Sequence, residues 1–288
     1  PRLLPMPEPL APNDYLPLVK AALAEDIGGG DATTLALVPE DAVATAVMIA
    51  REPLVMAGAD LALAVFQQLD ERVEFGVEIF DGQHAGLGQA LLRVQGPARA
   101  LLTAERTALN FIQRLAGVAT LTARFVEQVA GTGAQILDTR KTTPGWRALE
   151  KYAVACGGGT NHRVGLYDQV MIKDNHLAAL DGDVARAVAL AREASPGLKI
   201  EVEADTVEQA QAAAEAGADI ILLDNMSCDE LRDAIGQIDG RARTEASGDV
   251  TLETVHEIAG TGVDFVSVGA LTHSAPSVDI ALDFDPAD

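Results

Sequence analysis

LKIEVEADTVEQAQAAAEAGADIILLDN, residues 198–225, is the stretch on which the reading of the fold turns. Two apolar runs, LKIEVEAD and ADIILLDN, each end in polar residues, and an alanine-rich helical pattern lies between them. Continuous apolar runs of this length suit strands buried on both faces, as in parallel sheets. The helical part opens at Asp205 with Glu208 three residues on, and Gly217 closes it. Strand, helix and strand in this order form a parallel βα unit.

Outward from that unit the pattern repeats. AQILDTRK (134–141), DQVMIKDNH (168–176), ARTEASGDV (242–250) and VDFVSVGALTH (263–273) read as further strands. SCDE at 227–230 is a capping box, with Ser227 as N-cap and Glu230 answering it. Six strands rather than eight predict an α/β fold with an incomplete, open TIM-like barrel; an open doubly wound sheet is the alternative. No GxGxxG follows a strand, which counts against a dinucleotide site. The first hundred residues read as an α+β domain: strands within 43–57 and 71–96 and a helix over 60–69. A long helical pattern, 103–129, links the two regions.

The 288 residues carry a formal charge of −22, with 48% hydrophobic and 4% aromatic residues. That is globular composition. The acidity argues against nucleic-acid or anionic-membrane partners; it serves solubility and would also suit high salt. No apolar run approaches the roughly 20 residues of a membrane span. The proline-rich start does not read as a signal peptide. Two distant cysteines, Cys156 and Cys228, give neither a disulfide framework nor metal spacing. A cytoplasmic location is expected.

Against this background the cations of 138–173 are conspicuous. Of only five lysines, three (Lys141, Lys151 and Lys173) fall in this span, beside Arg140, Arg147, His162 and Arg163. A βα barrel gathers residues at its strands' C-terminal ends on the catalytic face. Those ends offer a cationic half (Thr139, Arg140, Lys141, His162, Arg163, Lys173) and an anionic half (Glu203, Asp224, and Asp174 beside them). Arginine forks suit planar carboxylates and phosphates. Carboxylates beside an anion site hold sugar hydroxyls or Mg²⁺. Ser247, Gly248, Gly269 and Ala270 offer backbone N–H groups to a phosphate. The residues therefore predict a phosphorylated sugar with Mg²⁺ and a carboxylated second substrate. Asp138, Glu201 and Asp174 are equally suited to internal ion pairs that hold the cations in place. Trp146 reads as packing, Cys156 as a small buried residue, and the GGG of 157–159 as compatible with a plain loop. Lys141 or Lys173 as a Schiff-base nucleophile and a barrel that only binds ligand are the competing readings.

The motifs EDIGGGDATT (25–34), ERTALNFIQRLAGVAT (105–120), DTRKTTPGWRALEKYAVACGGGTNHRVGLYD (138–168), IKDNH (172–176), EVE (201–203), LLDN (222–225), EASG (245–248) and SVGALTHS (267–274) resemble the quinolinate phosphoribosyltransferase family. The resemblance covers nearly the whole chain in order. It implies transfer of phosphoribose from phosphoribosyl pyrophosphate to quinolinate, giving nicotinate mononucleotide, CO₂ and pyrophosphate, with Mg²⁺ required. It implies an N-terminal α/β sandwich domain over 1–115, a barrel over 116–274, and a tail, 275–288, that packs on the sandwich. It also implies a homodimer with a shared site. Arg106 of one subunit would join Arg140, His162, Arg163 and Lys173 of the other on the quinolinate carboxylates. Lys141, Glu203 and Asp224 would serve ribose, pyrophosphate and metal, and Ser247, Gly248 and Gly269 the phosphate. SGDV carries Asp249 where the family also uses glycine or asparagine. A paralogue with another acceptor would share this framework.

Overall fold

The computed structural model describes residues 8–285. The chain divides into two compact units. One comprises the residues up to Ala123, Thr142–Gly158 and the chain from Thr272; the other comprises Arg124–Lys141 and Gly159–Leu271.

The first unit begins with helices α1 (Pro12–Ile27) and α2 (Ala32–Leu37). Neither was read from the sequence. Pro12 occupies the first turn of α1, where its missing N–H costs nothing. Tyr15, Val19 and Leu23, four apart, form the buried stripe. Then come β1 (Val43–Ala50), β2 (Leu54–Val55), α3 (Ala59–Leu69), β3 (Glu74–Val77), β4 (His84–Ala85), β5 (Ala90–Pro97) and α4 (Ala98–Gln128). The division into units falls inside α4. An antiparallel sheet in the order β12-β1-β5-β3 forms the floor of this unit, its edge strand β12 (Ile280–Phe284) supplied by the end of the chain. Arg114 ties the last segment to α4 through the carbonyls of Thr272 and Ala275, and it pairs with buried Glu150 at 3.0 Å. Glu150 belongs to α5 (Arg147–Cys156) and also accepts from the N–H and hydroxyl of Thr143 at 3.0 and 2.9 Å. Trp146 stacks on Phe111 at 5.0 Å, so the sole tryptophan is packing, as read. Gly157 of the GGG run is also packing. A Cβ there would stand 2.4 Å from the Ala119 carbonyl oxygen.

The second unit is a six-stranded, wholly parallel sheet: β6 (Gln135–Leu137), β7 (Val170–Ile172), β8 (Ile200–Ala204), β9 (Ile220–Asp224), β10 (Arg243–Ser247) and β11 (Phe265–Ser267). The six strands fall where the apolar runs predicted. Their order is β6-β11-β10-β9-β8-β7. The last strand returns to pair with the first, which a singly wound sheet achieves by curling round. A doubly wound sheet would reverse direction part-way. The seam between β6 and β7 is unpaired, which leaves the TIM-like barrel open. Thr160 adds a parallel bridge to Leu137 on the β6 side of that seam. The helices between strands are α6 (Asp174–Ala178), α7 (Val184–Ala194), α8 (Val207–Glu215), α9 (Cys228–Ile238), α10 (Val255–Ala259) and α11 (Ala270–His273). Ser227 and Glu230 form the predicted capping box of α9. At α8 the cap is Thr206, which accepts from Gln209 N–H, and not Asp205. Asp205 instead donates its own N–H to Gln209 Oε1. Among the described residues no helix is long and apolar enough to cross a membrane.

Candidate active site

The C-terminal ends of the parallel strands surround a cavity of about 440 Å³. Its wall includes Thr139, Arg140, Lys141, His162, Arg163, Lys173, Glu203, Asp224 and Ser247. Nine of the sequence-predicted residues thus share one space. Met171, Leu222, Glu245 and Ser267 line it as well.

Local structure explains the convergence. Beyond β6 the chain turns at Thr139, whose hydroxyl accepts from Lys141 N–H at 3.0 Å. The excursion to residue 159 then returns beside β6. Thr160 N–H donates to the Ile136 carbonyl at 2.8 Å, and Asp138, wholly buried, accepts from His162 N–H at 2.8 Å. Asp138 was read as an internal ion-pair partner of the cations; the contact seen is with a backbone N–H of this segment. Arg163 is thereby delivered to the cavity. Its guanidinium reaches the Gln169 carbonyl and Met171 Sδ, both at 3.4 Å. Burial and then the charge of Arg140 lower its pKa, which marks two cations held close together. An anion placed between them relieves that repulsion.

His162 sits deeper. Nε2 lies 3.1 Å from Glu201 Oε2 and 3.4 Å from Glu245 Oε2. Burial by itself would lower the imidazole's pKa; hydrogen bonding to the two glutamates and their charge outweigh it and push it up to about 10. The backbone N–H of Arg163, however, donates to Nδ1 at 2.7 Å. The two observations pull apart on charge, since a doubly protonated ring cannot accept there. They agree on Nε2, which bears a proton either way. Burial raises the Glu201 carboxyl, against the pull of His162.

On the anionic side, Glu203 pairs with Lys173 across neighbouring strands. Asp224 accepts from Asn225 Nδ2 at 2.8 Å. Glu201 and Glu203 share a strand face, as the period of two predicted, with Glu201 buried and Glu203 at the cavity. Next to Ser247, Gly248 has φ +108°, and a Cβ there would stand 2.2 Å from Asn225 Oδ1. Asp249 follows at φ 41°, in the left-handed region where glycine and asparagine are at ease.

Five predicted residues lie elsewhere. Gly248, Gly269 and Ala270 are half-buried near the strand ends and are not part of the cavity wall. Arg106 is exposed on α4, beside a separate cavity of about 330 Å³ lined by Asp26, Asp31 and Thr103 among others. Asp174 is also off the wall; it accepts from Asn175 N–H at the start of α6. His176 caps the start of α6, its Nδ1 accepting from Lys173 N–H at 2.9 Å. Glu245 was the main residue missed. The signal was present, since it shares the strand face of Ser247 two residues on.

For Mg²⁺, Glu203 and Asp224 present hard oxygen donors into one cavity from adjacent strands, which suits that ion when substrate phosphates complete the shell. The one group of three His, Cys, Asp or Glu residues at metal-ligand spacing among the described residues is His162, Glu201 and Glu245.

Comparison with known proteins gives a consistent answer. Residues 31–116 match "Quinolinate phosphoribosyl transferase, N-terminal domain", and residues 118–283 match "Quinolinate phosphoribosyl transferase, C-terminal domain". A carboxylating nicotinate-nucleotide pyrophosphorylase of Mycobacterium leprae is 49% identical over 273 residues, 92% of this chain and 95% of that protein. A probable one of Bacillus subtilis is 45% identical over 260 residues, 90% of this chain and 89% of that protein. The crystal structure of NadC from Streptococcus pyogenes superposes with a TM-score of 0.94 at 41% identity, covering 98% of this chain and all of that one.

Proposed function

The chain belongs to the quinolinate phosphoribosyltransferase family, and on that premise we propose how its barrel mouth performs the family's decarboxylating reaction. Phosphoribose passes from phosphoribosyl pyrophosphate to quinolinate, giving nicotinate mononucleotide, CO₂ and pyrophosphate, in de novo NAD synthesis. The observation that carries the assignment of roles is the single cavity with cations on one wall and carboxylates on the other.

Quinolinate is a small planar dianion. Arg140, Arg163 and Lys173 are placed to bind it, with His162 behind them, and the arginine forks fix its orientation. Departure of pyrophosphate leaves an oxocarbenium-like ribose. Glu203 and Asp224 stabilise that charge, and Lys141 faces the leaving group. Mg²⁺, held by Glu203 and Asp224 with substrate phosphates, would supply charge neutralisation of pyrophosphate. Bonding at the ring nitrogen makes it cationic. It then accepts the electron pair left when the adjacent carboxylate departs as CO₂, and a proton takes the vacated carbon. No protein nucleophile is needed.

Ser247, with Gly248, Gly269 and Ala270, serves the ribose phosphate. Arg106 of the partner subunit completes the quinolinate pocket in a homodimer. The net charge of −22 supports small anions held in this pocket rather than nucleic acid as partners. Two free cysteines suit a reducing cytoplasm. Incubation with quinolinate, phosphoribosyl pyrophosphate and Mg²⁺ should yield nicotinate mononucleotide. Absence of product with all three present would overturn the reading, and borohydride trapping of Lys141 or Lys173 would favour a Schiff-base enzyme instead.

A further inference from the structure

Two glutamates, Glu245 in the pocket wall and Glu201 behind it, are not used by that reading. Glu201 and Glu245 are 0% and 1% exposed. Glu201 Oε2 accepts from Gln169 Nε2 at 2.6 Å and faces His162 Nε2 at 3.1 Å. Glu245 Oε2 faces the same nitrogen at 3.4 Å. The remaining oxygen of Glu201 is buried without a hydrogen-bond partner among the described residues, and Glu245 has no satisfied hydrogen bond beyond that ion-pair contact. Burying two carboxylates together is expensive, and apolar residues would fill the same barrel interior more cheaply. Packing therefore does not explain them.

The connections run toward Arg163. The ring they grip accepts Arg163 N–H on its other nitrogen. Gln169, whose amide holds Glu201, offers its carbonyl to the Arg163 guanidinium. Asp138 fixes the His162 N–H from the opposite side.

We propose that Glu201 and Glu245 are positioning residues of the dicarboxylate wall: together they hold the Nε2 proton of His162, and the ring so fixed sets the turn from which Arg163 enters the pocket. His162 then serves quinolinate through Arg163 and not by a hydrogen bond of its own, because both ring nitrogens are engaged within the protein. The inference rests on the reading of Arg163 as a quinolinate ligand.

The test joins kinetics to a measurement independent of activity. Glu201→Gln and Glu245→Gln should each raise KM for quinolinate about tenfold or more, with KM for phosphoribosyl pyrophosphate within about twofold of wild type. His162→Gln keeps a donor near the position of Nε2, so it should recover about tenfold of the loss seen in His162→Ala. Nitrogen-15 spectra of the unsubstituted protein, with the signal assigned by its loss in His162→Gln, should show Nε2 of His162 protonated. That measurement stands even where the glutamine variants fail to fold or the wild type makes no product. Unchanged quinolinate KM in well-folded glutamine variants would overturn the proposal. So would His162→Gln as impaired as His162→Ala, which marks a direct cationic ligand, an unprotonated Nε2, or a transition metal bound at one per chain in place of the proton.

Discussion

At the scale of single residues, the site is built by spending buried charge on orientation. Arg140 and Arg163 line the same cavity; in the proposed reading their forks hold a planar dianion, and a point charge does not replace a fork. Arg140→Lys should therefore raise KM for quinolinate much more than KM for phosphoribosyl pyrophosphate. Steady-state kinetics with each substrate varied would show it, and equal losses would contradict the assignment. His162 gives a prediction in pH. With Nδ1 accepting the Arg163 N–H, the ring stays neutral against the upward push of the two glutamates, so the melting temperatures of the wild type and of His162→Gln should change in parallel between pH 6.5 and about 10. A steeper fall of the wild type over that window would mean that the ring is charged and that Nδ1 does not accept. Most of these residues were legible because polar residues after an apolar strand are informative. Glu245 was passed over although it shares the strand face of Ser247, since a charge within a strand reads as an exposed face until the barrel shows it buried.

At the scale of elements, the strands were easier to read than the helix caps. Six apolar runs became six parallel strands because continuous apolar runs of this length, alternating with helical patterns, suit doubly buried strands. The start of α8 was misplaced by one residue, since Asp205 and Thr206 are both good caps and only the backbone's turn decides between them. Helix α1 went unread in a proline-rich start, where Pro12 sits in the first turn, a place at which a helix tolerates it. The box at α9 was unambiguous, with Ser227 and Glu230 satisfying each other's backbone N–H groups. Ser227→Ala should cost about 1 kcal/mol, lowering the melting temperature by roughly 3 °C without changing either KM. No shift in a thermal melt would show that the cap is redundant.

At the scale of the whole molecule, the acidic chain and the cations of its cavity belong together: the chain carries a net charge of −22 while Arg140, Lys141, Arg163 and Lys173 gather in the cavity proposed for small anions. The opening of the barrel between β6 and β7 was foreseeable from the count of strands. The grouping of Thr142–Gly158 with the first unit was not, because its anchors are the long-range pairing of Glu150 with Arg114 and the stacking of Trp146 on Phe111. The proposed shared site makes a prediction about assembly. Arg106→Ala and Lys141→Ala should each be nearly inactive alone. Mixing them under conditions of subunit exchange should restore about a quarter of wild-type activity, as random pairing gives one intact site in half the dimers. No recovery after verified exchange would place both residues in one subunit's site.

The central claim is that the ring nitrogen, once bonded to ribose, is the electron sink for loss of its neighbouring carboxylate. Quinolinate labelled in that carboxylate, turned over with phosphoribosyl pyrophosphate and Mg²⁺, tests it directly. The account predicts labelled CO₂ in one-to-one ratio with nicotinate mononucleotide and none when phosphoribosyl pyrophosphate is omitted. Label retained in the nucleotide product, or CO₂ released without the phosphoribosyl donor, would contradict it.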